Sequence, residues 1–205
     1  QERGREIRTF MPRFGCINER RNQLHEVIRL SGMNLIINDQ DHPLIIKVAS
    51  IQAARMQVYF IDNEEYFKRK FVFDDADGKF YGDNDERAIF FCRGVIETVK
   101  KLGWAPDIIH CHGWMTSVLP FYIRTAYKDD PIFENSKIIT SVYDDAYQGE
   151  LNSAMADKLV FGDLEKEEAA IFGQTDHTGL VKAQLKYSDA IIKGSPELGA
   201  DIDEL

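Results

Sequence analysis

The chain has 205 residues, 44% hydrophobic and 29% charged, a composition typical of soluble globular proteins and a length that suits one α/β domain with a sizeable core. No window approaches the roughly 18 consecutive apolar residues of a membrane span, so we expect no membrane association. The formal net charge of −9 argues against a nucleic-acid partner, because phosphate backbones are bound by clustered Lys and Arg.

The first residues and the cysteines indicate the compartment. The opening segment, QERGREIRTF, contains no apolar stretch and no small-residue cleavage site of a secretory signal. Cys16, Cys92 and Cys111 are far apart and have no zinc-site spacing, so we interpret them as free thiols. We therefore expect a cytoplasmic protein.

Five short apolar runs predict buried strands. In chain order they are IRTFMPRF (7–14), MQVYFID (56–62), PDIIHCH (106–112), KIITSVY (137–143) and DAIIKGS (189–195). Runs of this length without strict polar alternation are typical of parallel strands covered on both faces. Residues 17–55 break the pattern, because their β-prone runs are separated by the turn-like sequences SGMN and NDQDHP. There we predict a β-meander.

Helical spacing occurs between the strands. It covers three segments: 85–103, 114–127 and 165–188. The first has acids in its first turn, lysines in its last turn and Gly103 as a stop, and the third should break near Gly173 and Gly179. The alternation of helix and strand predicts an α/β fold, namely a Rossmann-like, doubly wound, mostly parallel sheet with a β-meander insertion near the N-terminus. We expect a single domain over residues 1–205.

Two histidines, His110 and His112, lie at the carboxyl end of the predicted strand 106–112. The two-residue period of a strand points both side chains to one face, which is a geometry that metal ligands also use. No further Asp or His with ligand spacing follows them. Three interpretations stay open: a metal pair, strand-end histidines that bond the neighbouring strand, and a corner of a substrate site.

The segment SVYDDAYQGEL (141–151) follows the next predicted strand. Because ligands of doubly wound sheets bind outside the carboxyl ends of the strands, this loop and the turn after His112 should be neighbours. Aromatic faces and polar side chains suit a carbohydrate or a small polar metabolite, although an ordinary loop with surface tyrosines has the same composition. The rings would come from Trp114, Tyr143 and Tyr147, and the hydroxyl partners would be Asp144, Asp145 and Gln148.

Two other signals are negative. Ser195 lacks the G-x-S-x-G elbow and an adjacent His base, so we interpret it as a helix N-cap. No G-x-G-x-x-G or Walker loop occurs in the chain, which therefore contains no recognisable phosphate cradle.

Six blocks, in order, resemble the bacterial glycogen synthases and plant starch synthases, in the amino-terminal part of their catalytic region. The fourth is similar to the family motif P-D-I-I-H-x-H-D-W, and the fifth to H-N-x-A-Y-Q-G. The blocks are MPRFG (11–15), VYFIDNEEYF (58–67), YGDNDERAIFF (81–91), LGWAPDIIHCHGWMTSVLPFYI (102–123), YDDAYQG (143–149) and YSDAIIKGSPEL (187–198).

This resemblance implies a retaining glucosyltransferase of the GT-B type. Such enzymes transfer glucose from ADP-glucose or UDP-glucose to the non-reducing end of an α-1,4-glucan, and they need no metal and no cofactor. They have two Rossmann-like domains with the active site in the cleft between them. The amino-terminal domain mainly holds the glucan acceptor, and the carboxyl-terminal domain of the same polypeptide mainly holds the nucleotide-sugar donor.

The resemblance also implies that the chain is a fragment. The family's K-x-G-G-L-G-D-V loop would precede QERGREIRTF, and the donor domain would follow SPELGADIDEL. A piece without either phosphate-binding element should be inactive alone, because the leaving diphosphate would have no cations or oriented amides to stabilise it.

The chain departs from the family motifs where chemistry is expected. Gly113 stands where the motif has Asp, and the His and Asn of H-N-x-A-Y-Q-G are replaced. The replaced positions and matching residues give the expected site. Its catalytic candidates are His112, Tyr143 and Asp144, and its glucan- or sugar-binding candidates are Trp114, Tyr147, Gln148 and Gly149. The departures leave an alternative open, a non-catalytic glucan-binding or regulatory domain on the same scaffold.

Overall fold

A computed structural model describes residues 3–205, and the chain divides into two compact units, one ending at Tyr81 and one spanning Gly82–Leu205. The described residues form eight strands and seven α-helices with parallel strand pairs in both units, which confirms the predicted α/β class. A single domain over residues 1–205 stays a prediction, and each unit is described by itself below.

The first unit contains a five-stranded mixed sheet in the order β1-β5-β4-β2, with β3 paired to β4. Strands β1 and β5 are parallel, whereas β4 pairs antiparallel with β2, β3 and β5. The predicted β-meander is therefore confirmed. The strands are β1 (Thr9–Pro12), β2 (His25–Glu26), β3 (Met33–Ile37), β4 (Gln40–Ile51) and β5 (Met56–Asp62).

Local sequence explains the meander. Asn38 and Asp39 connect β3 to β4 and both have positive φ, 52° and 59°, as a two-residue type I′ hairpin turn requires. Side chains of β4 alternate between buried and exposed along much of its length, because one face of the sheet covers the core. After β5, Asn63 accepts the Tyr66 N–H at 3.1 Å and begins the short helix α1 (Glu64–Phe67).

The second unit contains a three-stranded parallel sheet in the order β6-β7-β8. Its strands are β6 (Ile108–His112), β7 (Lys137–Val142) and β8 (Ala190–Lys193). All five apolar runs thus form strands, as predicted, but they lie in two sheets: β1 and β5 in the first and β6, β7 and β8 in the second. The parallel pairs β6–β7 and β7–β8 require crossover connections, which helices supply.

The first predicted helix is confirmed almost to the residue. Helix α2 spans Asn84–Leu102 and ends at Gly103, whose left-handed φ of 61° forms the C-cap. The second is shorter than predicted: a 3₁₀ turn, Trp114–Thr116, leads into α3 (Val118–Arg124). Pro120 is tolerated there because its missing N–H falls within the first turn.

The third predicted helix consists of three pieces. They are α5 (Lys166–Ala169), a 3₁₀ turn over Ala170–Gly173 and α6 (His177–Lys186). The break at Gly173 is confirmed, and the break at Gly179 is wrong, because Asp176 caps α6 and accepts the Gly179 N–H at 2.9 Å. Three short helices were not predicted, α1 together with α4 (Met155–Leu159) and α7 (Ala200–Asp203).

Within residues 3–205, no helix combines the length and apolar character needed to cross a bilayer. The three cysteines are free thiols, as predicted.

A buried ion pair connects α4 to α2. The Lys158 Nζ lies 2.9 Å from Asp85 Oδ2 and 2.8 Å from Glu86 Oε1, and the Asp85 side chain is 0% exposed and that of Lys158 is 8% exposed. Burial raises the pKa of Asp85 against the opposing effect of Lys158. A lone carboxylate at this place would be costly, since a buried charge needs its partner.

We predict that Lys158→Met destabilises the protein by about 3 kcal/mol, because it leaves the Asp85 carboxylate buried and unpaired. Chemical denaturation measures the change in unfolding free energy. The control is Lys166→Met, which removes the Lys166–Asp157 pair, whose side chains are 72% and 59% exposed, and should leave the denaturation midpoint nearly unchanged. Equal effects of the two substitutions would contradict the structural role of the buried pair.

Candidate functional site at the carboxyl ends of β6 and β7

The loops that follow β6 and β7 meet at one edge of the second sheet, as predicted from the parallel order of the strands. His112, the last residue of β6, shares a hydrogen bond of 2.7 Å between its Nδ1 and the Tyr143 hydroxyl. Two residues further along, the Trp114 N–H donates to Asp145 Oδ2 at 3.1 Å. The two sequence segments singled out as motifs are therefore in direct contact.

The His110 and His112 rings lie on the same face of β6, with centroids 4.0 Å apart, which confirms the two-residue period. His110 Nε2 forms a 2.7 Å hydrogen bond with Ser141 Oγ of β7. Partial burial of the His112 ring lowers its pKa below the ordinary 6.5, and the neighbouring His110 lowers it further. His112 is thus held neutral near pH 7, with its ring accessible to solvent.

The end of β8 supports Tyr143. A Cβ at Gly194 would lie 2.6 Å from Tyr143 Cε1, so only glycine allows the Tyr143 ring this close to the backbone. The backbone N–H of the exposed Asp144 donates to Ser195 Oγ at 2.9 Å. The prediction of Ser195 as a helix N-cap is wrong, because α7 begins at Ala200 with Gly199 as its N-cap.

A second cluster surrounds Asp145, which is joined to Trp114 and His177. His177 Nε2 lies 3.0 Å from Asp145 Oδ1, and the Tyr147 ring contacts both Trp114 and His177 with centroid distances of 5.1 and 5.6 Å. The Tyr147 hydroxyl donates to the Thr175 carbonyl at 2.7 Å. Burial raises the pKa of Tyr147, and nearby acids add to the shift, so this hydroxyl keeps its proton.

The predicted sugar-binding residues differ in exposure. Trp114 is 3% exposed and contacts Tyr147, whereas Gln148 and Gly149 are solvent-exposed further along the loop. The structure thus brings His112, Tyr143 and Trp114 to one edge and leaves the last two residues of the motif open. The functions of these residues stay predictions.

Sequence reasoning missed His177, which is 5% exposed and joins the site from α6. Its spacing from the other histidines carries no ligand pattern, so the sequence contains no metal-site signal at this position. The available signal was Asp176, an N-cap residue that begins a helix and thereby fixes His177 in its first turn.

No metal centre is formed by these residues. Across residues 3–205, no group of three or more His, Cys, Asp or Glu side chains could hold a metal ion, so the His110 and His112 pair has no third protein ligand of these types there. Cys111 lies between them on β6 but faces the core, and burial raises the pKa of its thiol to about 12.

We predict that His110→Gln raises the pKa of His112, because it removes the unfavourable electrostatic effect of His110, while the remaining burial keeps that pKa below 6.5. NMR titration of the histidine ring protons measures the shift. His25→Gln, at an exposed histidine of β2, is the control and should leave the His112 titration unchanged.

The same depressed pKa means that the stability His112 contributes is present above pH 6.5 and declines as the pH falls below it.

We predict that Gly194→Ala destabilises the protein by about 1–3 kcal/mol, because the added methyl group overlaps the Tyr143 ring. The matched control is Gly199→Ala, where a Cβ would meet nothing within 4 Å. Thermal unfolding compares the two variants. A Gly194→Ala protein as stable as the control would show that Tyr143 is not held against β8.

Comparisons with known proteins cover nearly the whole chain. The family model described as the starch synthase catalytic domain matches residues 1–204. The chain is 35% identical over 192 residues to a glycogen synthase of Chlorobium limicola, covering 93% of this chain and 39% of that protein. It is 36% identical over 207 residues to a glycogen synthase of Chlorobaculum parvum, covering 98% of this chain and 41% of the relative.

Among solved structures, the chain is similar to the catalytic domain of starch synthase IV from Arabidopsis thaliana bound to ADP and acarbose. The TM-score is 0.69 at 20% sequence identity, over 93% of this chain and 38% of that one. This likeness confirms a fold of the GT-B glycosyltransferase type, and the chain spans well under half the length of these relatives. With a family match over residues 1–204 and relatives above 30% identity, the chain belongs to the starch synthase catalytic domain family.

Proposed function

We propose that the protein containing this chain is a glycogen or starch synthase that transfers glucose to the non-reducing end of an α-1,4-glucan. The donor is ADP-glucose or UDP-glucose, and the reaction uses no metal and no cofactor. Residues 82–205 contribute the acceptor side of the active site, at the carboxyl ends of β6 and β7. The protein acts in the cytoplasm.

Family membership supports the reaction class. The curated relatives carry the name glycogen synthase, and the Arabidopsis starch synthase IV structure contains ADP and acarbose. A nucleoside diphosphate is the product expected of a nucleotide-sugar donor, and acarbose in that structure agrees with a saccharide site. We propose that the protein containing this chain likewise uses a nucleotide-sugar donor and has a saccharide site.

The contact between His112 and Tyr143 is the observation that carries the assignment of the site. These residues come from the two segments that resemble family motifs, and their side chains meet at 2.7 Å. Both residues lie at a strand end, where ligands of α/β sheets bind. A neutral imidazole bonded to a phenol offers a sugar hydroxyl both a donor and an acceptor without fixed charge.

We propose that the donor diphosphate is held elsewhere in the polypeptide. The net charge of this chain is −9, and its sequence contains no phosphate cradle. Stabilising a leaving diphosphate requires cations or oriented amides. Residues 1–205 alone should therefore bind acceptor without transferring glucose.

We predict that Tyr143→Phe in the full-length protein lowers kcat about tenfold, because His112 loses a hydrogen-bond partner that orients its ring. The measurement is incorporation of labelled glucose into glycogen from ADP-glucose and, separately, from UDP-glucose. The matched control is Tyr187→Phe, at the opposite end of α6 from His177, which should keep the wild-type rate.

The same assay separates the two candidate functions. Transfer from either nucleotide sugar supports the synthase. Glycogen binding without any transfer would contradict it and favour the non-catalytic glucan-binding or regulatory domain, which the replacements at Gly113 and Tyr143 motivate. A wild-type rate in Tyr143→Phe would remove Tyr143 from the proposed site while leaving the reaction class intact.

A further inference from the structure

Gly113 and Asp145 occupy the same small region of the site. Gly113 has φ +77°, and a Cβ built on it would lie 2.9 Å from Asp145 Oδ2. The carboxylate of Asp145 therefore fills the space in which any side chain at position 113 would begin. The motif that this segment resembles has an aspartate at position 113, so the chain lacks a carboxylate on one loop and has one beside it on the other.

We propose that Asp145 supplies from the β7 loop the carboxylate that position 113 lacks, and that it is a positioning residue for the ring cluster of Trp114, Tyr147 and His177. The inference rests on the proposed function for its effect on the glucan acceptor. Its geometry stands independently of that function.

The two oxygens of Asp145 have separate hydrogen-bond partners. Oδ2 accepts the Trp114 N–H at 3.1 Å, and Oδ1 accepts from His177 Nε2 at 3.0 Å. An ionised carboxylate only accepts, so both partners must donate, and His177 carries its proton on Nε2. An asparagine has one accepting oxygen and an NH₂ group that only donates, so it can satisfy both partners only if His177 moves its proton from Nε2 to Nδ1, and both hydrogen bonds then lose the charge of the carboxylate.

These bonds connect three segments of the second unit. The Trp114 N–H belongs to the turn after β6, Asp145 to the loop after β7, and His177 to the first turn of α6. The Tyr147 ring contacts both the Trp114 ring and the His177 ring, and its orientation therefore depends on both neighbours. The Asp145 side chain itself is 32% exposed and that of His177 is 6% exposed, so the carboxylate lies at the rim of the cluster.

The Asp145 carboxylate has one hydrogen-bond partner on each oxygen. His177 approaches one oxygen of the carboxylate and the peptide N–H of Trp114 approaches the other. Charge-assisted hydrogen bonds of this kind are stronger than neutral ones. These two hydrogen bonds should therefore hold the turn after β6 in its present conformation, in which position 113 has a positive φ that favours glycine.

The first test uses Asp145→Asn in the full-length protein, with Asp163→Asn at an exposed position as the control. Because Asp145 orients rings rather than reacting atoms, we expect KM for maltoheptaose to rise about tenfold while kcat changes less than about threefold. Hydrogen–deuterium exchange of the Trp114 amide should become faster in Asp145→Asn and stay unchanged in Asp163→Asn.

The second test is a double-mutant cycle on thermal stability with Gly113→Ala and Asp145→Ala. The backbone strain of alanine at φ +77° is the same in both backgrounds and cancels in the cycle. The overlap of the alanine Cβ with Asp145 Oδ2 occurs only in the wild-type background and does not cancel. Gly113→Ala should therefore lower Tm less in the Asp145→Ala background than in the wild type.

The outcomes separate this inference from the proposed function. Additive Tm changes would contradict the proposal that Asp145 supplies the carboxylate that position 113 lacks. A Trp114 amide whose exchange is unaffected by Asp145→Asn would contradict it as well. An unchanged KM with faster exchange would overturn its role in acceptor positioning. A full-length protein that incorporates no glucose would sink the proposed function, and the exchange and Tm measurements would still decide the position of the carboxylate.

Discussion

Parallel pairing of β6 with β7 is the constraint on which the candidate site depends. The register aligns His110 with Ile139 and His112 with Ser141, so both strands end at the same edge of the sheet. Parallel strands cannot be joined by a tight turn, and the segment containing α3 must return the chain to the opposite edge before β7 begins. The motifs near residues 112 and 143 meet for this reason, although 30 or so residues of sequence separate them.

Hydrogen bonds between the two loops then fix the side chains. The bond between His112 and Tyr143 and the bond from Trp114 to Asp145 each join the exit of β6 to the exit of β7. Glycine permits both close approaches, since Gly113 leaves room for the Asp145 carboxylate and Gly194 for the Tyr143 ring. The space beside each of these glycines is thus occupied by a side chain from the loop after β7.

Much of the fold was predictable from local patterns. The run MQVYFID became the strand Met56–Asp62, and the helix before Gly103 was predicted to within one residue at its start, because apolar runs, charged end turns and a stop glycine are local signals. The helix break predicted at Gly179 is absent, because the capping side chain of Asp176 outweighs the weak helix preference of glycine. The division of the strands into two sheets was not predictable, because strand pairing is a long-range choice.

The sequence by itself determined the α/β class, the approximate strands and main helices, and the family resemblance that names His112, Tyr143 and Trp114. It also identified Gly113 as a departure from the motif. Only the tertiary structure decided what occupies the space beside Gly113, how the two histidines are bonded, and that His177 joins Asp145 from a distant helix. The physical reason is that periodicity and capping act over a few residues, whereas these contacts join segments that come together only when the sheet forms.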